Sequence, residues 1–174
     1  LATRLKTMDG TVAWIARDLV ARIRDLTVAA NELERRIVEA VAGLAPALLE
    51  LAGVGALTAA KIVGEVADVR RFRSKDAFAR HNGTAPLPVW SGTTIRHRLS
   101  RTGNRQLNAA IHRIAVTQMR IHQPAKDYLE RRIGMRNTKT EALRALKRRL
   151  SDVVFRALLA DADTIGSAAL EQAA

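Results

Sequence analysis

The longest regular pattern in the chain is a heptad. Leu19, Ile23, Leu26, Ala30, Leu33, Ile37, Ala40 and Leu44 follow 4-3-4-3 spacing, and Leu5, Val12 and Ala16 carry the seam backwards with Asp9 as its one polar interruption. Charged residues flank it, among them Arg22, Arg24, Asp25, Glu32, Glu34, Arg35, Arg36 and Glu39. An apolar stripe recurring every 3.5 residues stays on one side of a helix, so residues 1–44 are predicted to form a coiled-coil helix. Its seam needs a cover. A second copy of the chain is the expected one, giving a homo-oligomer, although packing along the rest of the chain satisfies the same pattern.

A second pattern follows at Leu48-Leu-Glu-Leu-Ala-Gly-Val-Gly-Ala-Leu-Thr-Ala-Ala-Lys-Ile-Val63, where two apolar helical stretches enclose Gly53-Val54-Gly55. This predicts a helix–hairpin–helix. Glycine permits positive φ there and lets an anion approach exposed backbone N–H groups, and a helix N-terminus favours negative charge. Gly53, Val54, Gly55, Thr58 and Lys61 are therefore candidate phosphate contacts, with a turn that only packs two helices as the plainer reading.

Arg70, Arg71, Arg73 and Lys75 then surround Phe72, and Ser74 is placed to cap a short helix holding Phe78 and Ala79. Periodicity fails from Asn82 to Thr102, where Asn82-Gly83, Pro86, Pro88 and Ser91-Gly92 punctuate the chain. A loop of that length inside a compact domain is usually functional. Val89-Trp90 and Thr93-Thr94-Ile95 have β character and can hide a short strand. Helix resumes after Asn104 with Leu107, Ala110, Ile111, Ile114, Ala115, Gln118 and Met119 on one face. Pro124 suits the first turn of a helix reaching Ile133, and Thr138 with Glu141 forms a capping box before a last helix striped by Leu143, Leu146, Leu150, Val153, Val154, Ala157 and Leu158. The reading is all-α: a coiled-coil helix over 1–44, a compact helical domain over 45–161 with a functional loop at 82–102, and a flexible tail over 162–174.

Charge changes this picture more than hydrophobicity does. The 174 residues carry a formal +12, from 29 Lys and Arg against 17 Asp and Glu. Residues 91–150 hold 15 of the basic residues and 3 of the acidic ones, so the remainder of the chain is neutral. A third of a chain at that density repels itself unless a polyanion compensates it, and nucleic acid is the commonest such partner. Only 3% of residues are aromatic, which argues against a membrane-surface helix with aromatic anchors and against binders that stack successive bases on aromatic platforms. No run approaches the roughly 18 to 20 apolar residues that span a bilayer and no apolar run opens the chain, so a cytoplasmic protein with no membrane partner is expected. Leu1 stands where a whole protein has Met, which reads as an excerpt from a longer one. The absence of cysteine excludes thiolate nucleophiles and Cys-ligated metals.

The candidate chemistry centres on Ser91. A serine hydroxyl needs deprotonation, and the charge developing on a phosphoryl group under attack needs neutralisation. Arg96, Arg98, Arg101 and Arg105 can supply the second, and His97 is the nearest neutral base in sequence. Most Ser-Gly turns do nothing, and Ser100 is a weaker alternative that reads as a turn residue. Asn104 is placed to cap the next helix, and Lys139, Arg144, Lys147 and Arg148 line the polar side of the last one. These basic and amide groups are the candidate nucleic-acid contacts. His81, His97, His112 and His122 show no metal-ligand spacing, and Asp127, Glu130 and Glu141 form no two-metal carboxylate set. No metal site is expected in this chain.

The ordered stretches LLELAGVGALTAAKIVGEV, RFRSKDAFARHNGTAPLPVWSGTTIRHRLSRTGNRQLNAAIHRIA and NTKTEALRALKRRL together resemble the C-terminal transposase domain of the insertion sequence 110 / 116 / 902 family. The resemblance covers about residues 44–160, and the helix before it is similar to that family's coiled coil. It implies DNA transposition, with the serine at the position of Ser91 as the nucleophile that joins covalently to DNA. It also implies a separate RNase-H-like domain whose DEDD carboxylates bind a divalent metal, Mg²⁺, and a structured guide RNA bridging donor and target DNA. No such tetrad is found in this sequence, so no metal residue carries over and the fragment alone is expected to be inactive. Two rivals remain from the residues alone: a non-catalytic helix–hairpin–helix module that binds nucleic acid and dimerises, and a dimerisation fragment whose charge is incidental.

Overall fold

The computed structural model describes residues 8–91, 94–98 and 102–172, which form two compact units, Leu1–Ala40 and Val41–Ala174. The chain is all-α apart from one two-stranded ribbon among the described residues. Helix α1, Thr11–Leu44, is the heptad segment as one 34-residue rod, about 50 Å long at 1.5 Å per residue. Pairs such as Arg22 with Asp18 and Arg35 with both Glu32 and Glu39 support it at i,i+3 and i,i+4 spacing. Its seam residues Leu19, Ile23, Leu26 and Leu33 are all exposed.

The second unit is built around one long helix. After α2 (Pro46–Leu49), α3 (Ala56–Val66), a 3₁₀ turn (Val69–Arg71) and α4 (Lys75–His81) come strands β1 (Leu87–Ser91) and β2 (Thr94–Arg98). Helices α5 (Arg105–Ile121), α6 (Gln123–Gly134) and α7 (Lys139–Gln172) complete it. Helix α7 packs against α2, α4, α5, α6 and the 3₁₀ turn, and α3 packs on α5. Leu48, Ile62, Val66, Phe78, Leu107, Ile111, Ile114 and Val154 are fully enclosed where these helices meet. Phe78 stacks edge-on against Phe72 and tilts toward Phe155 of α7, with centroids 5.3 and 5.5 Å away.

Local signals in the sequence place most helix starts. The Ser74 hydroxyl accepts from the Ala77 amide, and Asn104 Oδ1 accepts from the Leu107 amide. Thr138 and Glu141 exchange side-chain bonds with each other's amides, as a capping box does. Helix α2 is different. Its Ala47 and Leu48 amides donate to the two carboxylate oxygens of Asp161, at 2.7 and 3.2 Å, from the far end of α7. A four-residue helix is too short to hold itself, and the buried carboxylate supplies the acceptors its first turn lacks.

Two segments are more regular than periodicity alone suggests. The loop at 82–102 contains an antiparallel ribbon pairing Leu87 with Arg98 and Ser91 with Thr94. Helix α7 continues through the segment from 162, expected as a tail, to Gln172. Ala-rich sequence favours helix there even without an apolar stripe, and Arg70 fastens it by donating to Ala162 O and Asp163 Oδ1 at 2.9 and 3.1 Å.

Replacing Asp161 by Ala leaves two amides without acceptors, and charge-assisted bonds of this kind contribute about 1.5 to 3 kcal/mol each. Urea denaturation of Asp161→Ala should show a loss of about 3 to 6 kcal/mol. A change within about 0.5 kcal/mol would mean that the α2 amides find other partners.

Candidate nucleic-acid interface

The ribbon's register decides which candidate residues share a face. In an antiparallel ladder residues alternate between two faces, and directly paired residues lie on the same one. The pairs are Leu87 with Arg98, Pro88 with His97, Val89 with Arg96, Trp90 with Ile95 and Ser91 with Thr94. Ser91 therefore occupies the face of Arg96 and Arg98. His97 occupies the other face, with Pro88 and Trp90, so the neighbour in sequence that looks most like a base for Ser91 is not on its side of the ribbon. Gly92, Thr93 and Arg101 lie outside the described residues.

The feet of the ribbon are two mirrored dipeptides, Asn82-Gly83 and Gly103-Asn104, which cross in backbone contact. A Cβ on Gly103 would sit 2.3 Å from the Gly83 nitrogen and 2.5 Å from its Cα, and Gly83 itself has φ +71°. No residue but glycine fits that crossing. The Asn104 amide donates to His81 O at 2.6 Å, and its side-chain amide donates to Glu65 Oε2 at 2.6 Å. Asn104 is thus spent on capping α5 and tying it to α3.

Beneath the crossing lies a buried polar network. Asn82 is fully enclosed and has every polar group paired. Its amide donates to Phe78 O, its Nδ2 donates to Ser151 Oγ at 2.7 Å, its Oδ1 accepts from the Thr84 amide, and its carbonyl accepts from Asn108 Nδ2 at 2.7 Å. Asn108 Oδ1 in turn accepts from Lys147 Nζ at 2.6 Å. Lys147 is 9% exposed, so the helix position expected to face solvent is inside. Burial first, and then the Arg144 guanidinium, hold its pKa below the usual lysine range. His112, one turn along α5 from Asn108, is likewise lowered by burial and by Lys147. Neither shift includes an attracting carboxylate. A desolvated ammonium beside a guanidinium is the electrostatic arrangement that an incoming phosphate relieves.

The other candidates divide. Gly53 has φ +80°, and a Cβ there would come within 3.2 Å of Thr117 Cβ and 3.3 Å of Ile114 O, so this turn is fitted onto α5. Gln118 Nε2 reinforces the fit by donating to Ala52 O at 2.7 Å. Val54 and Thr58 are buried, and the Thr58 amide is paired with Gly55 O. Gly55, the N-cap of α3, is exposed and brings no side-chain cap, and Lys61 is half-buried. Arg148 bridges Asp76 and Asp152, which ties α4 to α7. Arg105, Lys139 and Arg144 are exposed.

Asp76 and Asp127 bound fifty residues that contain no Asp or Glu, yet eight Lys or Arg and all four histidines. Among the described residues no three His, Cys, Asp or Glu side chains gather to hold a metal. No described helix is long and apolar enough to cross a membrane. Asn108, Ser151 and His112 join the site with no sequence signal, because their spacing matches no motif.

Gly103→Ala should force the feet apart and speed hydrogen exchange of the Asn104 amide roughly tenfold or more, with α6 amides unaffected. Gly64→Ala, where a Cβ meets nothing within 4 Å, is the neutral control. Acid should also weaken the fold. His81, lowered mainly by burial, and His112 bind protons more readily unfolded than folded, so stability falls as pH drops through the ordinary histidine range toward their lower folded values. In thermal melts between about pH 7.5 and 5, His112→Gln should flatten that slope; an unchanged slope contradicts the assignment.

Comparison with known proteins identifies relatives. Residues 45–130 match the model of the transposase IS116/IS110/IS902 family. The insertion element IS110 uncharacterized 43.6 kDa protein of Streptomyces coelicolor is 35% identical over 119 residues, covering 68% of this chain and 29% of that protein. The insertion element IS116 uncharacterized 44.8 kDa protein of Streptomyces clavuligerus is 32% identical over 155 residues, or 86% of this chain and 37% of its own length. The chain spans about a third of the length of these curated relatives. By its segment 45–130 and by both relatives, the chain belongs to the transposase IS116/IS110/IS902 family.

Proposed function

We propose that this chain is the strand-joining part of a DNA transposase in which Ser91 is the nucleophile. The observation that carries the reading is the register that puts Ser91 on one ribbon face with Arg96 and Arg98, above feet fixed by Gly83 and Gly103. In the first step the Ser91 hydroxyl gives up its proton as Oγ forms a bond to phosphorus. One bridging P–O bond breaks, and the leaving sugar oxygen takes a proton. The resulting phosphoserine ester keeps the bond energy, so a hydroxyl of the second strand can later displace Ser91 without an external energy source. Arg96 and Arg98 stabilise the charge on the non-bridging oxygens. His97, on the opposite face, is assigned to backbone contact and not to proton transfer.

Lys147, Arg144 and His112 seat a neighbouring phosphate, while Arg101, Arg105 and Lys139 extend the basic track. The turn before α3 acts as a helix–hairpin–helix, offering the exposed backbone at Gly55 and the side chain of Lys61 to a phosphate. Helix α1 pairs through its open seam with a second copy. An RNase-H-like DEDD domain in the parent protein holds Mg²⁺, and a structured guide RNA shares the basic track with DNA in the bacterial cytoplasm. The fragment alone is inactive on this reading.

Two measurements test it. In the full-length parent, Ser91→Ala should abolish covalent protein–DNA adducts on denaturing gels while duplex binding stays within about threefold; wild-type adduct levels would overturn the assignment. For the chain itself, log affinity against log salt should fall with a slope near −0.9 per phosphate neutralised. A flat dependence instead supports incidental charge.

A further inference from the structure

The ribbon carries a large apolar side chain that the described fold leaves open. Trp90 is 67% exposed. Tryptophan is on average among the more buried residues, since its ring removes about 150 to 250 Å² from water when covered. Among the described residues the ribbon has two strands and no third. The register sets Trp90 on the face opposite Ser91, one residue away in the chain, so the two flank the same strand edge.

The surroundings restrict what covers the ring. No carboxylate occurs between Asp76 and Asp127, whereas Arg96, His97, Arg98, Arg101 and Arg105 all follow within fifteen residues of Trp90. A protein partner is a poor fit, because the Trp90 ring offers a small fraction of the roughly 1,200 Å² that a specific interface buries. A lipid surface is a poor fit too, because interfacial anchors need a longer amphipathic run. A flat aromatic ring on a basic ribbon matches a nucleobase, whose π-face stacks whatever its identity. One ring makes no platform for successive bases, but it suffices for one.

We propose that Trp90 stacks on a single unpaired base of the DNA strand whose phosphodiester Ser91 attacks. The inference rests on Ser91 being the nucleophile and adds a ligand moiety to that site. Stacking on one side of the ribbon would unstack the base step and turn the adjoining phosphate toward the other side, where Ser91, Arg96 and Arg98 lie. The contact is blind to sequence, because every base has a π-face.

The chain has two tryptophans, so Trp14→Phe leaves Trp90 as the sole reporter. This variant is titrated with a DNA duplex containing a short single-stranded gap and with the same duplex ungapped, and binding is followed independently by anisotropy of a dye on the DNA. The gapped duplex should quench Trp90 emission. Trp90→Ala should weaken gapped binding roughly tenfold or more, within the range of single-base stacking, and leave ungapped binding within about twofold. Trp90→Phe should retain most of the gapped affinity. Binding of the gapped duplex with unchanged Trp90 emission and unchanged Trp90→Ala affinity overturns stacking while leaving the nucleophile reading intact. Failure of both duplexes to bind at low salt overturns stacking together with the reading it rests on. Emission that changes with protein concentration but not with DNA assigns the ring to a second copy of the chain, and also overturns it.

Discussion

Asn82 has to satisfy four polar groups in a site without water-exposed surface, and the way it does so fixes where everything else in the second unit can go. Its amide closes α4, its carbonyl holds Asn108 of α5, its Nδ2 holds Ser151 of α7, and its Oδ1 turns the chain at Thr84 into the ribbon. An unpaired buried polar group costs about 1 to 3 kcal/mol, so a rearrangement that moves any of these elements strands at least one partner. Hydrophobic burial alone would let α5 slide on α7 with little penalty. The asparagine makes one alignment distinct from its neighbours, which is what buried polar networks contribute when all members are satisfied.

The same network carries a charge that the fold itself does not neutralise. Lys147 is bonded to Asn108, with its pKa depressed by burial and by Arg144. Holding a cation there opposes folding, and the arrangement makes sense energetically when an anion arrives. Arg148, the next residue, shows the contrast: it is half-buried but answered by Asp76 and Asp152, and it ties helices together. Two adjacent basic residues on one helix thus do different work, and carboxylates decide which. Between Asp76 and Asp127 the chain supplies none.

Much of this is legible in the sequence, and the illegible part has a physical reason. Helices follow from 3.6-residue periodicity and from caps, both local properties, and Ser74, Asn104, Thr138 and Glu141 all act as their positions suggest. Even the family is recoverable from ordered motifs. The contacts that make the site are non-local: Asn82 meets Ser151 sixty-nine residues away, and Asp161 caps α2 across more than a hundred. No spacing rule encodes such pairs. Lys147 on a helix reads as solvated until α5 is known to lie over it. The ribbon is hidden for another reason, because Pro88 and short strands weaken a β signal that would otherwise alternate visibly. Register then separates Ser91 from His97, which proximity in sequence joins.

A two-stranded ribbon is at best marginally stable by itself, so the position of this one depends on its feet. The Gly83–Gly103 crossing brings two backbones closer than any side chain permits, and the Asn104 to His81 bond locks the second foot to the end of α4. Both feet stand over the network that ends at Lys147, so a phosphate seated there acts on the same residues that aim the ribbon. If Ser91 is the nucleophile proposed above, binding free energy from a remote phosphate could help hold it at the reacting one, since the feet cannot move without disturbing Asn82 and Asn108. On the proposed reading, this support is what would make a weak nucleophile on a small ribbon selective: the side chain is ordinary, and the cost of displacing its support is not.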